Sequence, residues 1–239
     1  MSLRAATTLS PGTERPSALP VVERSGVRYE VVEIIRQAIW AGTLQSGQRL
    51  NEQWLANELA VSRPPLREAI RVLEQEGLIE SRPRRGAYVT SLSGDDIMEI
   101  YELRCSLEGT AAEAVAANAP NSVFDALDHH LDEAVPPGAP LADAITHDLE
   151  FHRMLVRSSR NRRLLLAWEN MVSQLRLALV RVDPEFYDKT FIEATHRQLV
   201  VALRSRDRQM VRHEVDRLLD VGRDLKVRWD LLTTEESAT

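Results

Sequence analysis

Several features that mark other protein classes are scarce or missing from this 239-residue sequence. A single cysteine, Cys105, excludes an internal disulfide framework, and we expect it to be a small buried residue in a reducing environment. No apolar run approaches the ~20 residues that a membrane-spanning helix needs. The first residues also lack the signal-peptide pattern of charge followed by an apolar block. We therefore expect a cytoplasmic protein that does not enter a membrane.

An excess of positive charge is missing too, since the formal net charge is −6 at pH 7. The acidity is unevenly distributed, because residues 93–239 hold eighteen basic and twenty-six acidic side chains. Residues 62–86, in contrast, hold six arginines and four glutamates. Affinity for a phosphate backbone depends on such a local patch and not on the overall charge. The acidic composition therefore does not exclude a nucleic-acid binder.

The segment from Ser62 to Leu73 has the pattern of a helix whose first turn faces an anionic partner. Ser62 is a suitable N-cap, and the two prolines at 64 and 65 are tolerated in a first turn. One face repeats apolar residues at helical spacing, namely Leu66, Ala69, Ile70 and Leu73. Arg63 and Arg67 share another face, at the positive end of the helix dipole. Two guanidiniums there suit phosphates or a guanine edge, although charged residues are also typical of a solvated surface.

The flanking segments favour the DNA-binding interpretation. Upstream, residues 50–59 are predicted to form a short helix with Asn51 as its cap and Trp54 facing inward. Only three residues separate the two helices, which is the geometry of a helix-turn-helix. Downstream, residues 78–82 and 87–91 are predicted strands, joined by a turn that carries two arginines. A basic hairpin after a helix-turn-helix predicts a winged helix.

Residues 28–90 closely resemble the N-terminal signature of GntR-type bacterial transcription regulators. The matching residues are Gly42, Leu44, Gly47, Leu50, Glu52, Leu55, Ala56, Ser62, Arg63, Pro65, Arg67, Glu68, Ala69, Leu73, Gly77, Leu78, Arg84, Arg85 and Gly86. The resemblance implies a winged helix that binds double-stranded DNA as a homodimer on a near-palindromic operator. The expected DNA-binding residues are Gln53, Ser62, Arg63, Arg67, Arg85 and Gly86. Gln53 stands where relatives often carry arginine, so it would bond a base edge or a phosphate without charge.

The predicted fold class is mainly α, with an all-helical antiparallel bundle after the winged helix. Ser93 and Asp96 resemble a capping box at the start of this bundle. Apolar periodicity and proline-containing breaks indicate helices roughly over residues 94–118, 121–134, 141–159, 161–182, 185–205 and 207–231. The predicted domain organisation is a disordered tail at 1–25, the winged helix at 26–92, the bundle at 93–232 and a frayed end at 233–239.

Two pairs of side chains in the bundle are spaced to converge. Asp148 and His152 are four apart on one predicted helix, as metal chelation needs, and His196 is near the start of another. Arg104 and Glu108 are also four apart, and Arg104 has the geometry to clamp a carboxylate. A lone histidine on a helix is usually structural, and an Arg–Glu pair is normally a weak surface ion pair. The remaining histidines show no partner spacing; they are His129, His130, His147 and His213.

Residues 95–225 resemble, more weakly, the effector domain of the FadR-type (FCD) subfamily of these regulators. The matching features are the Arg104–Glu108 pair, the Asp148–His152 step, Asn161 at a helix start, and His196. The resemblance implies that a small carboxylate metabolite binds near Arg104, Asp148, His152, Asn161 and His196. In many members an aspartate and three histidines bind a divalent metal, such as Zn²⁺, Ni²⁺ or Mn²⁺, which the carboxylate then coordinates.

Three of the four implied metal ligands are present, namely Asp148, His152 and His196. The fourth position, about 22 residues after His196, is Leu218, and His213 is about 140° round the helix from it. Three protein ligands are enough for Zn²⁺ when water completes the set. Two alternatives stay open: a three-ligand metal site, and a metal-free site in which Arg104 and the histidines donate hydrogen bonds. Leu218 also favours a ligand with a hydrocarbon portion.

These features predict a DNA-binding transcription regulator, not an enzyme, whose operator affinity changes when a small organic acid binds in the bundle. One alternative is a metal-dependent hydrolase that uses Asp148, His152 and His196. Against it, no obvious base or nucleophile lies nearby in the sequence. A second alternative is a DNA-binding dimer that has no effector.

Overall fold

The computed structural model of the chain describes residues 25–133, 135–136, 139–181 and 189–237. The disordered tail that we predict at residues 1–25 lies outside this described part, except for Ser25, which begins the first helix. No helix in the described residues is long and apolar enough to cross a membrane.

The N-terminal region is a helix-turn-helix followed by a hairpin. Its elements are α1 (Ser25–Trp40), α2 (Glu52–Glu58), α3 (Arg63–Gln75), β1 (Ile79–Arg82) and β2 (Gly86–Val89). The two strands are antiparallel, with Ile79 opposite Val89 and Arg82 opposite Gly86. The apolar face of α3 is buried as its spacing predicts, and Leu66 and Leu73 are fully inaccessible to solvent. The predicted winged helix is confirmed.

The C-terminal region is all-helical in its described part, which confirms the predicted bundle. Its elements are α4 (Gly94–Asn118), α5 (Asn121–Asp132), α6 (Leu141–Ser158), α7 (Arg162–Leu179), α8 (Lys189–Ser205) and α9 (Arg208–Ser237). The capping box at the start of α4 is formed, because Ser93 and Asp96 each accept a hydrogen bond from the other's backbone N–H. The aspartate variant of this motif therefore works as the sequence predicts.

Two local expectations are wrong. Trp54 is 51% exposed, because Leu55 and Ala56 supply the buried side of the short helix α2. Ser62 is at the N-cap position of α3 and has the extended backbone of an N-cap, but its side chain makes no capping hydrogen bond. α9 extends to Ser237 and so includes residues 233–237 of the end that we predict to be frayed.

The two regions touch through α7, whose residues reach both α1 and the end of α3. The Arg176 guanidinium lies 4.5 Å from the centre of the Trp40 ring, and its Nη2 donates to Thr146 Oγ1 on α6 at 2.9 Å. The Gln174 carboxamide occupies the space that a side chain at Gly77 would need. Gly77 has φ +71°, which favours glycine on backbone grounds as well. The loop residue that follows α3 thus lies directly against the helical region.

Candidate functional site

The residues predicted to contact DNA lie on one exposed surface formed by α2, α3 and the hairpin. All of them are exposed: Gln53, Ser62, Arg63, Arg67, Arg85 and Gly86. Arg63 donates a hydrogen bond to Gln53, and Arg67 Nε donates to Glu52 Oε2 at 2.8 Å. An exposed ion pair of this kind contributes little to stability, so a phosphate can displace it at small cost. The surface therefore keeps two guanidiniums available to an anionic partner.

A cavity of about 350 Å³ separates the hairpin from the helix-turn-helix. Its lining includes Gln53, Arg63 and Gly86, and also Arg49, which the sequence did not single out. The Arg49 guanidinium is 3.7 Å from the position where a Cβ on Gly86 would stand. Arg49 belongs to the loop before α2, and no periodic sequence pattern there indicates a functional residue. Its guanidinium adds a further cation to the cavity, beside the predicted DNA contacts of the helices and of the wing.

A second site is enclosed by α4, α6 and α8, far apart in the sequence. Arg104, Asp148, His152 and His196 are each at most 4% exposed. Two of their number, Asp148 and His152, are four residues apart on α6, as the spacing predicts, while His196 approaches from α8. The structure therefore brings together the predicted metal ligands and the predicted arginine. No other cluster of three metal-ligating side chains occurs in the part of the chain that the structure describes.

The three donor groups converge on one point. His196 Nε2 lies 3.1 Å from Asp148 Oδ1 and 2.7 Å from His152 Nε2. His152 Nε2 lies 3.6 Å from the same carboxylate oxygen. One ligand atom from each residue falls within 4.8 Å of the other two. One carboxylate oxygen and two imidazole nitrogens suit Zn²⁺, Ni²⁺ or Mn²⁺, so this donor set fits a divalent metal.

Glu108 is a further member of this cluster that was not among the site residues predicted from the sequence. Its side chain is fully buried and accepts a hydrogen bond from Arg104 Nε at 2.9 Å and another from Trp168 Nε1 at 3.0 Å. Its other oxygen lies 2.7 Å from His152 Nδ1. A carboxylate at Nδ1 fixes the orientation of the ring, so that His152 Nε2 faces Asp148 and His196. Glu108 therefore orients the His152 ring within the cluster.

The electrostatics keep both carboxylates ionised. Burial alone would raise the pKa of Glu108, but the charge of Arg104 and the contact with His152 lower it to about 2. Burial opposes ionisation of Asp148 as well, yet hydrogen bonds from His152 and His196 hold its pKa well below the usual range. Burial lowers the pKa of His196, which favours the neutral imidazole that binds metals. Burial and the charge of Arg104 would lower the pKa of His152, but Glu108 and Asp148 raise it above its ordinary value. The buried cluster thus combines ionised carboxylates with one imidazole that burial keeps neutral and one whose charged form the carboxylates favour.

The other candidates in the bundle take different places. Leu218 lines the same cavity as His152 and His196, a space of about 200 Å³, while His213 is exposed on α9. An apolar side chain therefore stands beside the triad, as the sequence predicts. Asn161 is exposed and caps α7 by accepting hydrogen bonds from two backbone N–H groups. Its effector-binding role stays a prediction.

Two histidines that the sequence left without partners form a stacked pair. The rings of His130 on α5 and His147 on α6 are 4.0 Å apart between centroids and nearly parallel. His130 Nε2 also lies 2.9 Å from the backbone oxygen of His147. The expectation of no partner is wrong here because the contact joins different helices and so has no local spacing. Cys105 is buried as predicted, and burial raises the pKa of its thiol to about 12, which leaves it unreactive.

Two family models match the chain. The model described as "Bacterial regulatory proteins, gntR family" matches residues 28–89, and the model described as "FCD domain" matches residues 99–221. The first match covers the winged helix, and the second covers the helices that hold Arg104, Asp148, His152 and His196.

Relatives match along most of their length. An uncharacterized HTH-type transcriptional regulator YdhC from Bacillus subtilis is 30% identical over 76% of this chain and 82% of its own. The gluconate operon transcriptional repressor from Bacillus licheniformis is 30% identical over 80% of this chain and 81% of its own. Among solved structures, a GntR regulator from Rhodococcus sp. RHA1 superposes with a TM-score of 0.66 at 23% identity, over 84% of this chain and 97% of that one. E. coli McbR/YncC superposes with a TM-score of 0.65 at 20% identity, with the same coverage.

Proposed function

The chain belongs to the GntR family of bacterial transcription regulators and carries an FCD domain. From this premise we propose that it is a repressor whose affinity for operator DNA is either lowered or raised when a small organic acid binds. The observation that carries the effector part is the convergence of Asp148, His152 and His196 inside the FCD-matched region. Repression, rather than activation, is suggested by relatives named as operon repressors.

The DNA-binding half of the proposal rests on the exposed surface of α2, α3 and the wing. The chain binds a near-palindromic operator as a homodimer, so that two copies of α3 enter successive major grooves about 34 Å apart. Arg63 and Arg67 contact base edges or phosphates there, with Gln53 and Ser62 beside them. Arg85 and Gly86 reach the minor groove from the wing. The exposure of all these residues supports the assignment. Such a protein acts where the bacterial DNA is, in the cytoplasm.

The effector half rests on the buried cluster. Asp148, His152 and His196 hold a divalent ion, which supplies an open coordination position for the carboxylate of the effector. Glu108 orients the His152 ring through its contact with Nδ1, and Arg104 donates to Glu108 in turn at 2.9 Å. Arg104 also lies 4.0 Å from Asp148 and adds positive charge beside the ligand. Leu218 leaves the neighbouring position without a protein donor.

The two alternative functions are not equally supported. The matched families and the relatives named above are transcription regulators, so nothing supports the metal-dependent hydrolase. A DNA-binding dimer without an effector is the competing case. It predicts that neither metal nor any acid changes operator affinity.

The proposal is tested by selecting bound duplexes from a random DNA library and measuring their affinity with Zn²⁺ or a chelator, with and without gluconate and other sugar acids. We expect a two-fold symmetric consensus, a molecular mass of two chains on one duplex, and an affinity change of about 5- to 150-fold on ligand binding. Chelation should abolish the ligand effect. An affinity that is the same under all conditions would favour the dimer without an effector.

Replacing Leu218 with histidine is expected to tighten metal binding about tenfold or more, because the side chain stands beside the triad and would add a fourth nitrogen donor. Competition with a chromophoric chelator gives the affinity. The matched control is Leu232→His, which adds the same side chain at an exposed position of α9. Equal affinities for the Leu218→His variant, the control and the unaltered protein would show that this position does not reach the metal.

A further inference from the structure

The cavity of about 350 Å³ between the hairpin and the helix-turn-helix, called the wing cavity below, lies among the proposed DNA contacts. The loop before α2, the starts of α2 and α3, and the first residues of β2 all contribute to its lining. The exposed members of this lining are Arg49, Asn51, Gln53, Arg63 and Gly86. A partner molecule can therefore reach the wing cavity, and it meets two arginines there.

Backbone pairing with the hairpin holds Arg49 in place. Two backbone hydrogen bonds of 2.9 Å each join residues 48 and 50 to β2. They place Arg49 opposite Tyr88 in an antiparallel bridge. Because successive side chains of an extended segment point to opposite faces, Leu50 is buried and Arg49 is exposed. The position of Arg49 is thus fixed by the same hairpin that forms the wing.

The Arg49 guanidinium lies beside the backbone of the wing. Its Nε and Nη2 atoms are 3.7 and 3.8 Å from the position where a Cβ on Gly86 would stand. Gly86 has φ +97°, a conformation that favours glycine. Since glycine carries no side chain, a guanidinium can approach the wing backbone closely at this position. Arg49 therefore places a cation where the wing meets the helix-turn-helix.

Ion pairing divides the arginines from the loop before α2 to the end of the hairpin into two groups. Three are paired with a carboxylate, namely Arg67, Arg71 and Arg82. Four form no ion pair with any residue that the structure describes, namely Arg49, Arg63, Arg84 and Arg85. Glu52, the acidic residue of the cavity lining, is already paired with Arg67 at 2.8 Å. The positive charge at the wing cavity is therefore available to an external anion.

The position of the wing cavity indicates which anion this is. In the proposed complex α3 occupies a major groove and the wing reaches the adjacent minor groove. The sugar–phosphate backbone separates two adjacent grooves of a duplex. The cavity between α3 and the wing consequently lies over this backbone. A guanidinium is well suited to it, because its fork of N–H donors matches two phosphate oxygens.

We propose that Arg49 binds a phosphate of the DNA backbone in the wing cavity, beside Arg63, and thereby fixes the position of the wing relative to α3 on the duplex. The placement over the backbone rests on the proposed DNA-binding function. Arg49 is then a positioning contact, since a phosphate contact orients a protein on DNA without reading its sequence. The residues that read bases are expected elsewhere on the same surface.

The first test compares Arg49→Gln, which removes the charge, with Arg49→Lys, which keeps it. Affinity of the full chain for the selected operator and for an unrelated duplex is measured by fluorescence anisotropy at several salt concentrations. Arg49→Gln is expected to weaken binding to both duplexes by the same factor of about ten. The slope of log affinity against log salt should fall by about one for each copy of the chain on the duplex. Arg49→Lys should stay within about threefold of the unaltered protein.

The control is Arg162→Gln, which removes the same charge from an exposed position at the start of α7, outside the winged helix. It should change neither the affinity nor the slope. The unfolding midpoint in urea should be the same for all variants, because the altered side chains are exposed.

The second test identifies the phosphate. Operator duplexes are made with an uncharged methylphosphonate in place of one phosphate in each half-site, at a different position in each duplex. At one position the replacement is expected to weaken binding of the unaltered protein about tenfold. The same replacement should cost Arg49→Gln much less, because that variant has already lost the contact.

The outcomes separate this proposal from the proposed function. A loss in Arg49→Gln that is confined to the operator sequence would mean that Arg49 reads a base, and equal losses in the Gln and Lys variants would mean that its charge is not what binds; each overturns the phosphate contact. So does an unchanged affinity and salt slope in Arg49→Gln while the unaltered protein binds its operator, a result that leaves the proposed function standing. If the unaltered protein binds no duplex at all, both are wrong.

Discussion

Replacing Arg63 and Arg67 together with alanine is expected to lower operator affinity about a hundredfold or more. Each guanidinium is exposed at the front of α3, where a bidentate contact contributes about 1–3 kcal/mol of discrimination. The fold should survive, since the buried face of α3 is formed by other residues, including Leu66 and Leu73. The unfolding midpoint in urea should therefore stay within error of the unaltered protein.

The measurement is a mobility-shift titration on the duplex obtained by selection, repeated at several salt concentrations. Loss of phosphate contacts should also reduce the slope of log affinity against log salt by about one for each contact removed. Arg162→Ala/Arg163→Ala is the control, because it removes the same charge from exposed positions at the start of α7. Comparable losses in both double variants would mean that overall charge, and not the face of α3, governs binding.

Replacing Asp148 with asparagine is expected to weaken Zn²⁺ binding about a hundredfold. The substitution keeps the shape of the side chain but removes the anionic oxygen at which both histidines converge. At a Zn²⁺ concentration of about one hundred times the wild-type Kd, bound metal adds about 2.7 kcal/mol to wild-type stability. The variant should gain only a few tenths of a kcal/mol under the same conditions.

Thermal unfolding with and without Zn²⁺ measures this difference for each protein. The quantity to compare is the increase in unfolding free energy that Zn²⁺ causes in each protein. The stability without Zn²⁺ is not compared, because neutralising a buried carboxylate also changes the stability of the metal-free form. Glu150→Gln is the matched control, since it removes an acidic charge from the same helix at a partly exposed position. An increment in Asp148→Asn as large as in the control would remove Asp148 from the ligand set.

The parts that local spacing determines were predictable from the sequence. The apolar period of α3, the capping box at Ser93 and the i,i+4 step from Asp148 to His152 each depend on residues within one or two helical turns. All three are present as expected. The family resemblance predicted that His196 lies beside Asp148 and His152. Residue spacing alone does not predict this, because His196 is far from them in the sequence.

What depends on packing between distant helices was not predictable. Glu108 has the spacing of a surface pair with Arg104, yet it is fully buried because α7 and α6 cover it with Trp168 and His152. Trp54 shows the opposite error, because it was predicted to be buried and is exposed. No neighbouring helix covers that side of α2 enough to bury it. Burial is set by which elements pack together, and periodicity within one helix does not report it.

The contact between Gln174 and Gly77 has a consequence for how ligand binding and DNA binding would be coupled. Gly77, which follows α3, lies against Gln174 of α7, and α7 is joined to α6 through Arg176 and Thr146. Packed residues therefore connect the proposed DNA-binding surface with the helix that holds two residues of the proposed effector site. If the proposed effector changes the affinity for operator DNA by some factor, thermodynamic reciprocity requires that operator DNA changes the affinity for the effector by the same factor. A cell with many copies of the promoter would therefore need a different metabolite concentration for half-saturation than a cell with one.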